Sequence, residues 1–185
     1  MKLNKLIQKI DVEYIIGKQN LEINNINYDS RSVKKNGLFI AIEGFDTDGH
    51  KYIDEAIAKG AKVIVIEKNL DNYLENIIYV KVTDSRKAMA YISAEFYGYP
   101  QKDLKLIGVT GTNGKTTTTN LIKIILENAG YKTGLIGTIG NYINKKKINS
   151  SRTTPNSLEL NKLFYKMKKK GLEYVVMEVS SHAID

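Results

Sequence analysis

Twelve residues, Gly108-Val-Thr-Gly-Thr-Asn-Gly-Lys-Thr-Thr-Thr-Thr119, have the types and spacing to hold a phosphate. Backbone N–H groups of a glycine loop can curl around phosphate oxygens, Lys115 adds a point charge, and Thr116 offers a hydroxyl to Mg2+. A helix opening at Lys115 brings the positive end of its dipole to the same place. The common pattern leaves four residues between its first glycine and the Gly-Lys pair. Here that first position is Val109, and the candidate glycines are Gly108 and Gly111. The alternative is a glycine-bearing turn that binds nothing. The flanking pattern favours the phosphate loop, because the apolar run Leu104 to Val109 reads as a buried strand and Lys115 to Ala129 as a helix stopped by Gly130.

A second acid-bearing stretch completes the chemistry. Tyr174-Val-Val-Met-Glu-Val179 reads as a buried strand with Glu178 near its carboxyl end. In phosphate-loop enzymes such an acid helps hold the metal beside the loop Thr; a strand-end carboxylate facing solvent is the alternative. Ser180, Ser181 and His182 come next, where open α/β sheets bind ligands. Adjacent Ser and His rarely face each other and no G-x-S-x-G elbow exists, so hydroxyl contacts to a substrate are the better reading. Arg152-Thr153-Thr154-Pro155 precedes a helix and could receive a carboxylate or phosphate. On spacing alone it is a capped turn. His50, in the Asp48-Gly49-His50 turn, suits a structural or a functional role.

The elements that must position these residues alternate. Leu3, Leu6, Ile7 and Ile10 predict a short amphipathic helix, and Leu21 to Tyr28 a strand. The turns at Asp29–Ser32 and Lys34–Gly37 precede a strand from Gly37 to Ile42. After the Gly44–Gly49 loop come a helix from Tyr52 to Lys59 and strands at Ala61–Glu67 and Ile77–Val82. Asp84 caps a helix reaching Tyr97, which Gly98-Tyr99-Pro100 breaks. The second half adds a strand at Thr133–Thr138 and an exposed hairpin or loop from Gly140 to Arg152. A helix comes after it, with Asn156 and Glu159 as capping box. The fold class is α/β. A small amino-terminal α/β domain, residues 1–100, precedes residues 101–185, the first part of a phosphate-loop NTPase-like central domain with a mainly parallel sheet. With so few strands in the second half, the chain reads as truncated, its central core lacking partners.

Composition narrows the function classes. With 185 residues the chain can bury a sizeable core, and with no cysteine it has neither disulfides nor thiolate metal sites. No apolar run approaches the roughly 20 residues of a membrane span, and the N-terminus lacks a signal peptide's apolar core, so a cytoplasmic protein is expected. The net charge of +8 lies wholly in residues 104–185, which carry 13 Lys+Arg and 5 Asp+Glu. The runs Lys145–Lys147 and Lys166–Lys170 read as solvated faces rather than anion receptors. They lack interleaved aromatics, so neither nucleic acid nor membrane is an expected partner.

Taken in order, these stretches resemble the Mur ligase family over essentially the whole chain. The amino-terminal resemblance is carried by Tyr28-Asp-Ser-Arg31, Gly37-Leu-Phe-Ile-Ala-Ile-Glu-Gly44, Asp48-Gly-His-Lys-Tyr-Ile53 and Ala56-Ile-Ala-Lys-Gly-Ala61. The central resemblance is carried by the phosphate loop, Gly137-Thr-Ile-Gly140, Thr153-Thr-Pro155 and Met177-Glu-Val-Ser-Ser-His-Ala183. The displaced glycine is itself the family's pattern. Within the family the chain is similar to the branch that adds the third residue of the peptidoglycan stem. The branch adding D-Ala-D-Ala looks less similar around Thr153 and Ser180, and folylpolyglutamate synthase shares the loop but not the first domain.

The resemblance implies ATP-dependent amide-bond formation through an acyl phosphate. Gly111, Thr112, Asn113, Gly114, Lys115, Thr116 and Thr117 would bind ATP, and Thr116 and Glu178 would hold Mg2+. Lys115 and Glu178 are the implied catalytic pair. Tyr28, Ser30, Phe45, Asp46 and Thr47 would bind the UDP end of the substrate. Arg152, Thr153, Thr154 and Ser180 would contact the muramoyl-dipeptide part. The implied partners are UDP-N-acetylmuramoyl-dipeptide and an amino acid, diaminopimelate or lysine, in a protein monomeric at full length. The family also uses a later metal-binding His, a carbamylated Lys and a third domain that selects the amino acid. None falls in these residues, so the chain by itself is expected to lack ligase activity and to be marginally folded beyond about residue 100. A non-catalytic nucleotide- or UDP-sugar-binding module is the alternative.

Overall fold

The computed structural model describes residues 1–44, 47–148 and 153–181. The chain divides into two compact units, Met1–Phe96 and Tyr97–Asp185.

The first unit is built on strands that suit a sheet covered on both faces. β1 (Val12–Ile16), β2 (Asn25–Asn27), β3 (Gly37–Ile40), β4 (Ala61–Ile66) and β5 (Ile78–Val82) form one sheet in the order β1-β5-β4-β3-β2. β2 to β5 run parallel, and β1 pairs antiparallel with β5. β4, Ala-Lys-Val-Ile-Val-Ile, is buried at five of its six positions, as a central parallel strand must be. Its β-branched side chains fit the pleat. α1 (Leu3–Leu6), α2 (Ile53–Ala58) and α3 (Ser85–Phe96) complete the unit. Ile53 and Ala56 of α2 join Phe39, Ile64, Ile66 and Tyr79 in one core cluster. Asp84 caps α3 as expected, its carboxylate accepting from the Lys87 N–H at 2.8 Å.

Three details of this unit differ from the expectation. The helix at Leu3 stops after Leu6, so Ile10 does not continue it, and β1 comes directly after. β1 lacks a clean apolar alternation; it is held by pairing with β5 and by the Glu13–Lys81 ion pair at 3.1 Å. The strand expected over Leu21–Tyr28 is regular only at Asn25–Asn27.

The second unit contains β6 (Lys105–Val109), α4 (Lys115–Asn128), β7 (Thr133–Ile136), β8 (Asn141–Ile143), β9 (Lys146–Ile148), α5 (Ser157–Lys169) and β10 (Tyr174–Glu178). Its sheet runs β6-β10-β7-β8-β9. β10 lies parallel between β6 and β7, whereas β8 and β9 form an antiparallel hairpin. Asn144, at φ 54°, makes the tight turn of that hairpin. Leu163, Phe164 and Met167 of α5 pack with Ile136, Val175 and Met177. The Asn156 side chain caps α5, accepting from the Glu159 N–H at 3.0 Å.

β6 overturns one expectation. Its apolar run predicts a buried strand, but Leu106 is 42% exposed. β6 is the edge of its sheet among the described residues, and only β10 pairs with it. No helix among the described residues is long and apolar enough to cross a membrane.

Candidate functional site

The parallel register puts three strand ends side by side. Glu178 stands opposite Val109, and Met177 opposite Ile136. The segments leaving the carboxyl ends of β6, β7 and β10 therefore gather at one edge of the sheet, where open α/β sheets bind ligands.

The loop after β6 turns through Gly111 at φ +142° and Gly114 at φ +80°, conformations that side chains resist. Gly114 is the N-cap of α4 and supplies no side-chain bond. The first N–H groups of α4, from Lys115 to Thr117, thus lack intrahelical acceptors and face the loop. Lys115 folds back over the loop, its Nζ donating to the carbonyls of Gly111 at 2.5 Å and Thr112 at 3.4 Å. These are weak neutral partners for an ammonium, which a phosphate would replace with charged ones. Thr112, Asn113 and Thr117 are exposed.

Glu178 is 2% exposed. Oε2 accepts from the Thr116 hydroxyl at 3.0 Å and the Thr138 hydroxyl at 2.9 Å. Oε1 accepts from the Thr138 N–H at 3.1 Å. Among the described residues no Lys or Arg lies within ion-pairing distance of it. A buried carboxylate surrounded only by neutral donors is costly unless a cation joins it. The donor set, a carboxylate with a hydroxyl converging on it, is hard oxygen chemistry that suits Mg2+. No cluster of three or more His, Asp or Glu that could hold a metal occurs among the described residues. A bound ion here would draw its remaining ligands from phosphate and water, as Mg2+ ordinarily does.

Thr153 and Thr154 approach the same edge. The Thr154 hydroxyl donates to the Glu178 carbonyl at 3.0 Å and accepts from the Ser180 N–H at 3.0 Å. The Thr153 hydroxyl lies 3.1 Å from that of Thr138. Thr110, Gly111, Thr112, Lys115, Thr138, Thr153, Ser180 and Ser181 line an open cleft of about 610 Å³. Loop, acid and hydroxyl turn, separate in sequence, meet in one place. Arg152 and His182 lie outside the described residues.

The first unit holds the other expected residues. The Ser30 hydroxyl donates to Glu55 Oε2 at 2.6 Å, and Ser30 is 5% exposed. Beside it, Asp29 accepts from the Arg31 Nε and Nη2, both at 2.9 Å. This pairing holds the Asp29 carboxyl below its usual range. Tyr28 is half-buried, and the Thr47 carbonyl accepts from the Gly44 N–H at 2.8 Å. Phe45 and Asp46 lie outside the described residues. His50 has a structural role: its Nε2 accepts from the Glu67 N–H at 3.1 Å, so its Nδ1 carries the proton and donates to Asp48 Oδ1 at 2.6 Å.

Sequence reasoning gives no role to Thr138 or Gly137. A Cβ on Gly137 would collide with Glu178 Oε1, so the missing side chain is what lets this turn close on the carboxylate. The signal available is their place in the Gly137-Thr-Ile-Gly140 segment.

Comparison with known proteins agrees across both units. Residues 22–97 match the Mur ligase family, catalytic domain, and residues 109–185 match the Mur ligase middle domain. The chain is 54% identical over 186 residues to the UDP-N-acetylmuramoyl-L-alanyl-D-glutamate--2,6-diaminopimelate ligase of Clostridium tetani. That match takes in 100% of this chain and 38% of the relative, so the chain spans well under half of the relative's length. A solved UDP-N-acetylmuramoyl-L-alanyl-D-glutamate--2,6-diaminopimelate ligase shares the fold, with TM-score 0.75 and 24% identity over 98% of this chain and 36% of its own. The MurF ligase of Thermotoga maritima, solved in complex with ADP, has TM-score 0.56 and 26% identity, over 85% of this chain and 32% of its own.

Proposed function

Because this chain belongs to the Mur ligase family, we propose that it supplies the UDP-substrate-binding and ATP-binding parts of a peptidoglycan-precursor ligase. The reaction is addition of the third stem amino acid to UDP-N-acetylmuramoyl-L-alanyl-D-glutamate. The relative's name supports diaminopimelate over lysine as that amino acid. The observation that carries the reading is the buried Glu178 carboxylate, without a cationic partner among the described residues, bonded to Thr116 at the N-terminus of α4.

The geometry supports the roles given to the phosphate loop and Glu178, and the family resemblance supports the rest. Gly111 to Thr117 bind ATP, the free N–H groups of α4 and the Lys115 ammonium taking the β- and γ-phosphates. The ADP bound to the Thermotoga maritima protein supports this nucleotide. Thr116 and Glu178 hold Mg2+, which when bound neutralises phosphate charge. Arg152, Thr153, Thr154 and Ser180 receive the muramoyl-dipeptide. Tyr28, Ser30, Phe45, Asp46 and Thr47, in the substrate-binding domain of residues 1–100, receive the UDP end. The D-glutamyl γ-carboxylate attacks the γ-phosphorus of ATP, forming an acyl phosphate and releasing ADP. The amine of the incoming amino acid then attacks the acyl carbon and inorganic phosphate leaves. Residues 101–185 position and neutralise anions, the main task in phosphoryl transfer. We place this work in the cytoplasm, in a protein monomeric at full length.

The test is calorimetric titration of ATP with Mg2+ into the chain and into Lys115→Ala. The variant should bind about 10- to 100-fold more weakly, the worth of a hydrogen bond to a charged group. Equal affinities would refute the loop assignment.

A further inference from the structure

We propose that Thr138 is a positioning residue, holding Glu178 for its cation and linking that carboxylate to the Thr153 turn. This rests on the nucleotide and metal reading above. Thr138 grips both oxygens of one carboxylate, its N–H on Oε1 at 3.1 Å and its hydroxyl on Oε2 at 2.9 Å. Two donors from one residue fix the plane of the carboxylate as well as its place. Gly137 makes that grip possible, since a Cβ there would collide with Oε1.

Thr116 cannot do the same work. It gives Glu178 a single contact, its hydroxyl on Oε2 at 3.0 Å, and none on Oε1. One contact leaves the carboxylate free to swing about it, so the hold on both oxygens falls to Thr138. Such outer contacts orient metal ligands, and their loss commonly costs 10- to 100-fold in metal affinity.

The hydroxyl proton of Thr138 has a second consequence. A carboxylate only accepts, so that proton is committed to Glu178. The 3.1 Å contact with Thr153 then has one polarity: Thr153 donates and Thr138 accepts. A directed chain runs from Thr153 through Thr138 to Glu178. A ligand that takes the Thr153 hydroxyl frees a lone pair of Thr138 and alters the donor on which the metal carboxylate rests. Coupling of this kind is reciprocal.

The test measures ATP affinity with and without Mg2+, by calorimetry, for the chain and for Thr138→Val, Thr138→Ser and Lys115→Ala. In Thr138→Val the Mg2+-dependent gain in affinity should fall about tenfold or more. Its metal-free affinity should be unchanged, and Thr138→Ser should restore the gain. An unchanged gain in Thr138→Val, while Lys115→Ala loses binding, overturns the role of Thr138 and leaves the loop assignment standing. A parallel loss with and without Mg2+ makes Thr138 merely structural and also overturns it. Unaltered binding by Lys115→Ala refutes the nucleotide reading, and the proposal with it.

Discussion

In the first unit Phe39, Ile64 and Val80, from three adjacent strands, are all 0% exposed; in the second, Leu106 of β6 is 42% exposed. The difference continues in the helices. Ile53 and Ala56 of α2 are buried, whereas Leu121, Ile124 and Ile125 of α4 are 56%, 51% and 66% exposed. These three recur at i, i+3 and i+4, the spacing of a helix face made for packing. Charge divides the same way. Lys+Arg and Asp+Glu balance in Met1–Phe96, and the whole net charge of +8 lies in the second unit. One unit has an apolar sheet covered on both sides. Among the described residues, the other carries its phosphate loop on an edge strand with apolar surface open to solvent.

The largest expected effect is in the covered sheet. Phe39→Ala should cost about 3–5 kcal/mol in urea unfolding, because it empties a fully buried site. Leu121→Ala, on the open face of α4, should stay within about 0.5 kcal/mol. Equal costs would show that the α4 face is buried in solution and would break the comparison.

A middle-sized effect is expected where the second unit is tightly built. Gly137→Ala drives a methyl onto Glu178 and should cost about 1–3 kcal/mol in the unfolding of that unit, leaving the first unit's transition in place. An unchanged second transition would mean that the turn relaxes freely around the carboxylate.

The smallest effect sharpens the electrostatic side. Burial pushes the Asp48 carboxyl up, but the Lys68 ammonium at 2.9 Å and the His50 backbone and ring N–H groups more than reverse this, leaving it well below the usual range. A carboxyl lowered on folding stabilises fully above its unfolded value, near 3.8, and loses that contribution as pH falls toward the folded value. Asp48→Asn should therefore lower the melting temperature of the first unit by a few degrees at pH 7. It should lower it by less at pH 3, as tracked by calorimetry. A gap that widened in acid would contradict the assignment.

Much of this was legible in the residues themselves. The Val63-Ile-Val-Ile66 run, the Asp84 and Asn156 caps and the Gly-Lys-Thr loop are local signals, and each element they predict is present. The misses are non-local. Leu104–Val109 reads like a buried strand because an apolar run does not say how many neighbours it will have. Strand β1 is held by β5, some seventy residues on, as the Glu13–Lys81 separation of 68 shows. Thr138 acquires a role only because β10 inserts beside β7. The Ser30 hydroxyl donates to Glu55, a partner that no spacing rule identifies.

The placement of β10 between β6 and β7 also sets a schedule. Thr116 must wait 62 residues for Glu178. At roughly 5–20 residues per second of synthesis, that is about 3–12 s in which Thr116 exists without its partner. During translation the loop sequence precedes its site, and the second sheet cannot zip up from its beginning. Among the described residues, the strand made latest lies between two made earlier.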